Sequence, residues 1–145
     1  YGPEMPGITA NVTVILSDSR VRSPILQEFD TAIILNQQSL DKFEKSVKPG
    51  GVLIYDPNGI TRHPVRKDIK VYQVDATEEA LKMKNAKIFN MIVLGAFLKL
   101  KPIVKMENVI KGLKESLPPR HHHLIPLNEE AIKKGIEIVK QFSVN

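Results

Sequence analysis

Between residues 30 and 55 the hydrophobic period of the chain changes twice, and this limits the available folds more than any other feature. Residues 30–36 form a short, mostly apolar run of the kind that a parallel sheet buries on both faces. Residues 38–47 then carry Leu40, Phe43 and Val47 at helical spacing, closed by Pro49-Gly50-Gly51. A second apolar run follows at 52–55. Strand, helix and strand in this order predict a β-α-β unit with a right-handed crossover and parallel pairing. The expected fold is therefore α/β: a three-layer, Rossmann-like domain whose mostly parallel sheet is flanked by helices.

The rest of the chain extends this pattern. Residues 10–16 and 69–74 are strand-like, and Asp56-Pro57-Asn58-Gly59 with Arg62-His63-Pro64 makes 56–68 a basic, irregular loop. Thr77-Glu78-Glu79 opens a helix with carboxylates at its electropositive end. Residues 88–100 are apolar around nearly the whole circumference, which predicts a core helix or one that a partner subunit covers, and hence self-association. Residues 106–117 place Val109, Ile110, Leu113 and Leu117 on one face. Asn128 is the expected cap of a last helix whose Ile132, Ile136 and Val139 stripe packs on the sheet. With 145 residues and 42% hydrophobic composition, one domain spanning 1–145 is the sensible count.

The opening segment has a different character. Two glycines, two prolines and Glu4 fall within seven residues and run directly into a β-branched stretch, so a loop is presented at a strand end. Strand-end loops are where open α/β sheets meet ligands and partners. Tyr1, Gly2, Pro3, Glu4, Gly7, Thr9 and Asn11 are accordingly the expected ligand- or partner-facing residues.

The run Tyr1-Gly2-Pro3-Glu4-Met5, then Gly7, then Thr9-Ala10-Asn11-Val12-Thr13-Val14 resembles a stretch in the gamma subunit of 2-oxoacid:ferredoxin oxidoreductases, especially the 2-oxoglutarate type. The similarity continues through Phe29-Asp30-Thr31-Ala32-Ile33-Ile34-Leu35-Asn36, Gly50-Gly51-Val52-Leu53-Ile54-Tyr55-Asp56 and Leu124-Ile125-Pro126-Leu127-Asn128. Pro6 and Ile8 stand where the family usually has arginine and glycine, so this chain lacks that arginine's anion contact at position 6. Family members also begin with a glycine-rich β-α unit, and the chain reads as the family domain without it.

The resemblance implies a subunit of a cytoplasmic enzyme that oxidatively decarboxylates a 2-oxoacid to an acyl-coenzyme A. Its alpha and beta subunits hold thiamine diphosphate, a delta subunit belongs to some complexes, and ferredoxin takes the electrons. The gamma domain is implied to serve assembly and the coenzyme A side, and to be inactive alone. Two alternatives stay open: the equivalent subunit of a pyruvate, branched-chain or indolepyruvate enzyme, or a stand-alone phosphate- or nucleotide-binding α/β module.

Composition narrows the chemistry. The chain has no cysteine, which excludes disulfides, a thiolate nucleophile and a cysteine-ligated iron–sulfur cluster within it; the clusters of such a complex belong to other subunits. The net charge of +5 divides into −2 over residues 1–60 and +7 over 61–145. The lysines are scattered, arginine-rich runs are absent and there are eight aromatic residues, so a solvated basic face or a docking surface for an acidic ligand or partner is expected rather than nucleic-acid binding. The apolar run at 88–100 is too short for the ~20 residues a bilayer requires, so no membrane span is expected. Arg62, His63 and Arg66 are the candidate anion contacts. His121-His122-His123, taken as an extended connector, points its side chains in alternate directions and predicts no metal site. No catalytic residue is identifiable.

Overall fold

The computed structural model describes residues 28–102 and 104–144. Strands β1 (Phe29–Ile34), β2 (Val47–Tyr55) and β3 (Lys70–Gln73) lie side by side and parallel. A two-residue strand β4 (Lys140–Gln141) adds antiparallel to β3, giving the order β1-β2-β3-β4. The strand expected at residues 10–16 lies outside the described residues.

Successive side chains divide between two cores, as the period-2 geometry of a strand requires. Ala32, Ile34, Leu53, Tyr55 and Val71 face one side, where Leu40 and Phe43 of helix α1 (Gln37–Phe43), with Phe142 and Val144, cover them. Val52, Ile54 and Val74 face the other, under α2 (Ala76–Lys82), α3 (Phe89–Leu100) and α5 (Ile125–Ile138). Helix α4 (Met106–Ser116) leans on α5 and buries no residue fully. The expected three-layer α/β architecture is the one observed.

Several boundaries differ from the periodicity. The first helix ends at Phe43, a 3₁₀ turn takes Glu44–Ser46, and Val47 opens β2. Pro49-Gly50-Gly51 is therefore not a helix stop but an irregularity inside β2. The register jumps from Phe29 opposite Val47 to Thr31 opposite Val52, and Gly50 sits at φ +82°, where a side chain is strained. Its N–H reaches Asp68 O at 2.7 Å. The last helix begins at Ile125, three residues before Asn128, because the 3₁₀ turn Pro119–Leu124 feeds into it and Pro126 suits a first helical turn.

α5 lies against α3, and its buried Ile132 shares the second core with α3's Ile92 and Ala96. α3 itself is buried or half-buried along its length, with only Asn90 and Lys99 exposed. Its all-round apolarity is thus explained within one chain. Of the two expectations for this helix, the core helix is the one observed.

Candidate functional site

Three parallel strands end at one edge of the sheet, and polar turns follow them there. After β1, Asn36 caps α1 by accepting from Ser39 N–H at 2.8 Å. After β2 comes Asp56, which is 1% exposed. One of its oxygens accepts from Asn58 N–H at 2.9 Å and from the Asn58 amide at 3.1 Å. The other accepts from Thr77 N–H at 3.0 Å and Thr77 hydroxyl at 2.6 Å. The carboxylate that closes the β2 turn therefore also caps α2 from a different strand end, while Asp75, at the cap position, makes no capping bond of its own. Gly59 completes the turn: a Cβ there would collide with the Leu35 carbonyl, so only glycine lets this turn approach the end of β1.

The basic loop after this turn is stitched down by one face of α1. Gln37 Oε1 accepts from Thr61 N–H at 2.7 Å and Arg62 N–H at 3.1 Å. Asp41 and Glu44 each lie 3.2 Å from the Arg62 guanidinium. Glu44 also accepts from Val65 N–H at 2.7 Å. Residues 37, 41 and 44 share a helix face by spacing alone, a signal available in the sequence that the charge reading passed over.

Arg66 donates to Asp68, to Glu44 O and to Val47 O. The hydrogen bond to Asp68 raises the guanidinium pKa and lowers that of the carboxyl. His63 takes a different role. Tyr55 donates its hydroxyl proton to Gln73 Oε1 at 3.0 Å, so the Tyr55 oxygen accepts from His63 Nδ1–H at 3.3 Å. The imidazole stacks on Phe142 with ring centroids 5.0 Å apart. Burial, and then the charge of Asp75, push the Tyr55 phenol up to about 12. Burial, and then Glu78, raise the Asp75 carboxyl.

Arg62, His63 and Arg66 thus share one loop without converging on one point: each is engaged within the chain. Tyr1, Gly2, Pro3, Glu4, Gly7, Thr9 and Asn11 lie outside the described residues. The histidine run is a 3₁₀ turn rather than an extended connector; His122 Nε2 lies 2.8 Å from Leu117 O, and His121 accepts from Arg120 at 3.3 Å. Among the described residues no three His, Cys, Asp or Glu side chains are grouped to hold a metal, and no helix is long and apolar enough to cross a membrane.

A Rossmann-like α/β domain with polar turns at the carboxyl edge of its sheet is the class that the fold defines. The family profile of pyruvate ferredoxin/flavodoxin oxidoreductases matches residues 1–138. The chain belongs to this family. It is 29% identical over 143 residues to 2-oxoglutarate synthase subunit KorC of Methanocaldococcus jannaschii, covering 97% of this chain and 75% of that protein. It is 36% identical over 100 residues to ketoisovalerate oxidoreductase subunit VorA of Methanothermobacter thermautotrophicus, covering 69% of this chain and 20% of that protein. In fold it matches the crystal structure of a keto/oxoacid ferredoxin oxidoreductase gamma subunit from Geobacter sulfurreducens, with TM-score 0.65 and 24% identity, over 75% of this chain and 63% of that one.

Proposed function

We propose that this chain is the gamma-type subunit of a 2-oxoacid:ferredoxin oxidoreductase whose oxoacid is 2-oxoglutarate. The observation that carries the reading is the continuous likeness to KorC subunits over 97% and 99% of this chain. A pyruvate synthase subunit PorC from Methanothermobacter thermautotrophicus, 27% identical over the full length of this chain, keeps pyruvate as the second candidate.

On this reading the alpha and beta subunits, with a delta subunit in some complexes, supply thiamine diphosphate and the iron–sulfur clusters, and ferredoxin receives the electrons. Cysteine ligation of a cluster does not fit this chain, which has no cysteine. Its own contribution is binding and assembly. The opening segment, Tyr1 to Asn11, meets the neighbouring subunits and the coenzyme A side. Arg62 and His63 supply contacts to anionic groups, and Arg66, fastened to Asp68 and to two carbonyls, holds their loop in place. The protein works in the cytoplasm.

The test is reconstitution. With the other subunits, coenzyme A-dependent reduction of a viologen dye should require this chain and prefer 2-oxoglutarate to pyruvate, and Glu4→Ala or Gly7→Val should lower the rate. The isolated chain should be silent. Full activity without it overturns the assignment; a preference for pyruvate transfers it to the second candidate.

A further inference from the structure

We infer that the groove between α4 and α5 is a docking surface for an amphipathic, acidic segment of a partner protein. Met106, Glu107, Ile110, Lys111, Lys114 and Glu129 line an open groove of about 480 Å³ there. α4 repeats Met106, Val109, Ile110 and Leu113 at helical spacing, yet none of its residues is fully buried. A helix so patterned ordinarily buries its stripe. Here α5 covers the stripe only in part, and Val104, in the link entering α4, is 44% exposed.

Charge selects the occupant. From Lys99 to Lys114 the sequence has five lysines and one carboxylate, Glu107. None of the five enters an ion pair among the described residues, whereas Lys82 on α2 and Lys133 and Lys134 on α5 each lie 3.5 Å from a glutamate. Glu129 is already paired with Lys133. The unopposed charge in the groove is thus positive at Lys111 and Lys114 and negative at Glu107, one turn earlier. A peptide segment can place carboxylates at one end and apolar side chains over Met106 and Ile110. A nucleic-acid strand carries charge along its whole length and would be opposed at Glu107. Residues 99–114 also have no arginine to fork a phosphate and no aromatic ring to stack a base.

The experiment uses the full chain and three labelled probes: a helical peptide of leucine and glutamate, an all-glutamate peptide of equal length, and duplex DNA. Fluorescence anisotropy should show the leucine–glutamate peptide binding tightest and weakening with added salt. Lys111→Glu with Lys114→Glu should weaken it by about ten-fold or more, while the same charge change at the exposed Lys45 and Lys70 should alter it by less than about two-fold. Ile110→Ser should weaken the leucine–glutamate peptide more than the all-glutamate one. Circular dichroism checks that each variant folds. The inference is overturned if no peptide binds, if both charge-reversed pairs weaken it equally, if duplex DNA binds more tightly, or if sedimentation shows the groove closed between two copies.

Discussion

Asp56 and Thr77 are joined by two hydrogen bonds to a single carboxylate oxygen, 3.0 Å from the Thr77 amide and 2.6 Å from its hydroxyl. The contact ties the end of β2 to the first turn of α2, 21 residues further on. It satisfies an amide that the helix itself leaves without a partner. Asp56→Ala should cost about 2–3 kcal/mol, because it removes a cap and also strips a partner from the Asn58 amide. Thr77→Ala, which keeps the amide bond, should cost about 1 kcal/mol. In a double-mutant cycle by urea denaturation the two losses should be less than additive. Additive losses would show that the contact does not couple the two turns.

The crossing of α3 and α5 gives a sharper contrast. A Cβ on Gly95 would collide with the Ile132 carbonyl, and one on Gly135 with the Ile92 carbonyl, so each glycine is the clearance for the other helix. Alanine is the better helix former, and in open surroundings it gains about 1 kcal/mol over glycine. Gly112 on α4 is such a place, with nothing within 4 Å of an added Cβ. Gly112→Ala should therefore stabilise, while Gly95→Ala and Gly135→Ala should each destabilise by more than about 2 kcal/mol. Thermal melting of the three variants decides it.

Alkaline pH should act through Tyr55. Its folded pKa is raised from 10.0 to about 12, so the folded state keeps a proton that the unfolded chain loses first. The stability this supplies is complete below pH 10 and is lost as pH rises from 10 to 12. Tyr55→Phe should flatten that part of the stability curve. Asp75→Asn removes a charge that contributes to the shift, so ultraviolet titration should find Tyr55 ionising earlier in that variant. The Asp75 carboxyl is itself raised above 3.8, so the stability linked to its proton fades as pH rises through that raised value.

Glu44 should control the order of the basic loop. Its side chain is 7% exposed and meets Arg62 at 3.2 Å and Val65 N–H at 2.7 Å. Glu44→Ala leaves the Val65 amide without its acceptor and takes from Arg62 one of its two carboxylate partners, at a cost of about 1–3 kcal/mol. The variant should exchange the Val65 amide hydrogen faster and be cut sooner by trypsin after Arg62 or Arg66. Unchanged exchange at Val65 would assign the holding of the loop to Gln37 and Asp41 instead.

The order of β1 to β3 and of the helices among them, and their division between two cores, were legible in the sequence because burial leaves a periodic trace, whereas the short β4 was not. Ala32, Ile34, Leu53, Tyr55 and Val71 alternate with residues of the opposite face, and Leu40 and Phe43 keep helical spacing. The absence of cysteine and the uneven charge were legible for the simpler reason that they are composition. What only the tertiary structure decided are contacts between segments distant in sequence, which leave no local pattern. Pro49-Gly50-Gly51 reads as a helix stop until Gly50 N–H finds Asp68 O and the residues become a bulge in β2. Arg62 and Arg66 read as free cations until α1 presents Asp41 and Glu44 and the chain supplies Asp68. The apolar circumference of α3 reads equally as a core helix or as a surface awaiting a partner until Gly95 and Gly135 bring α5 against it. Periodicity records that a face is buried; which surface buries it is decided only when the chain closes on itself.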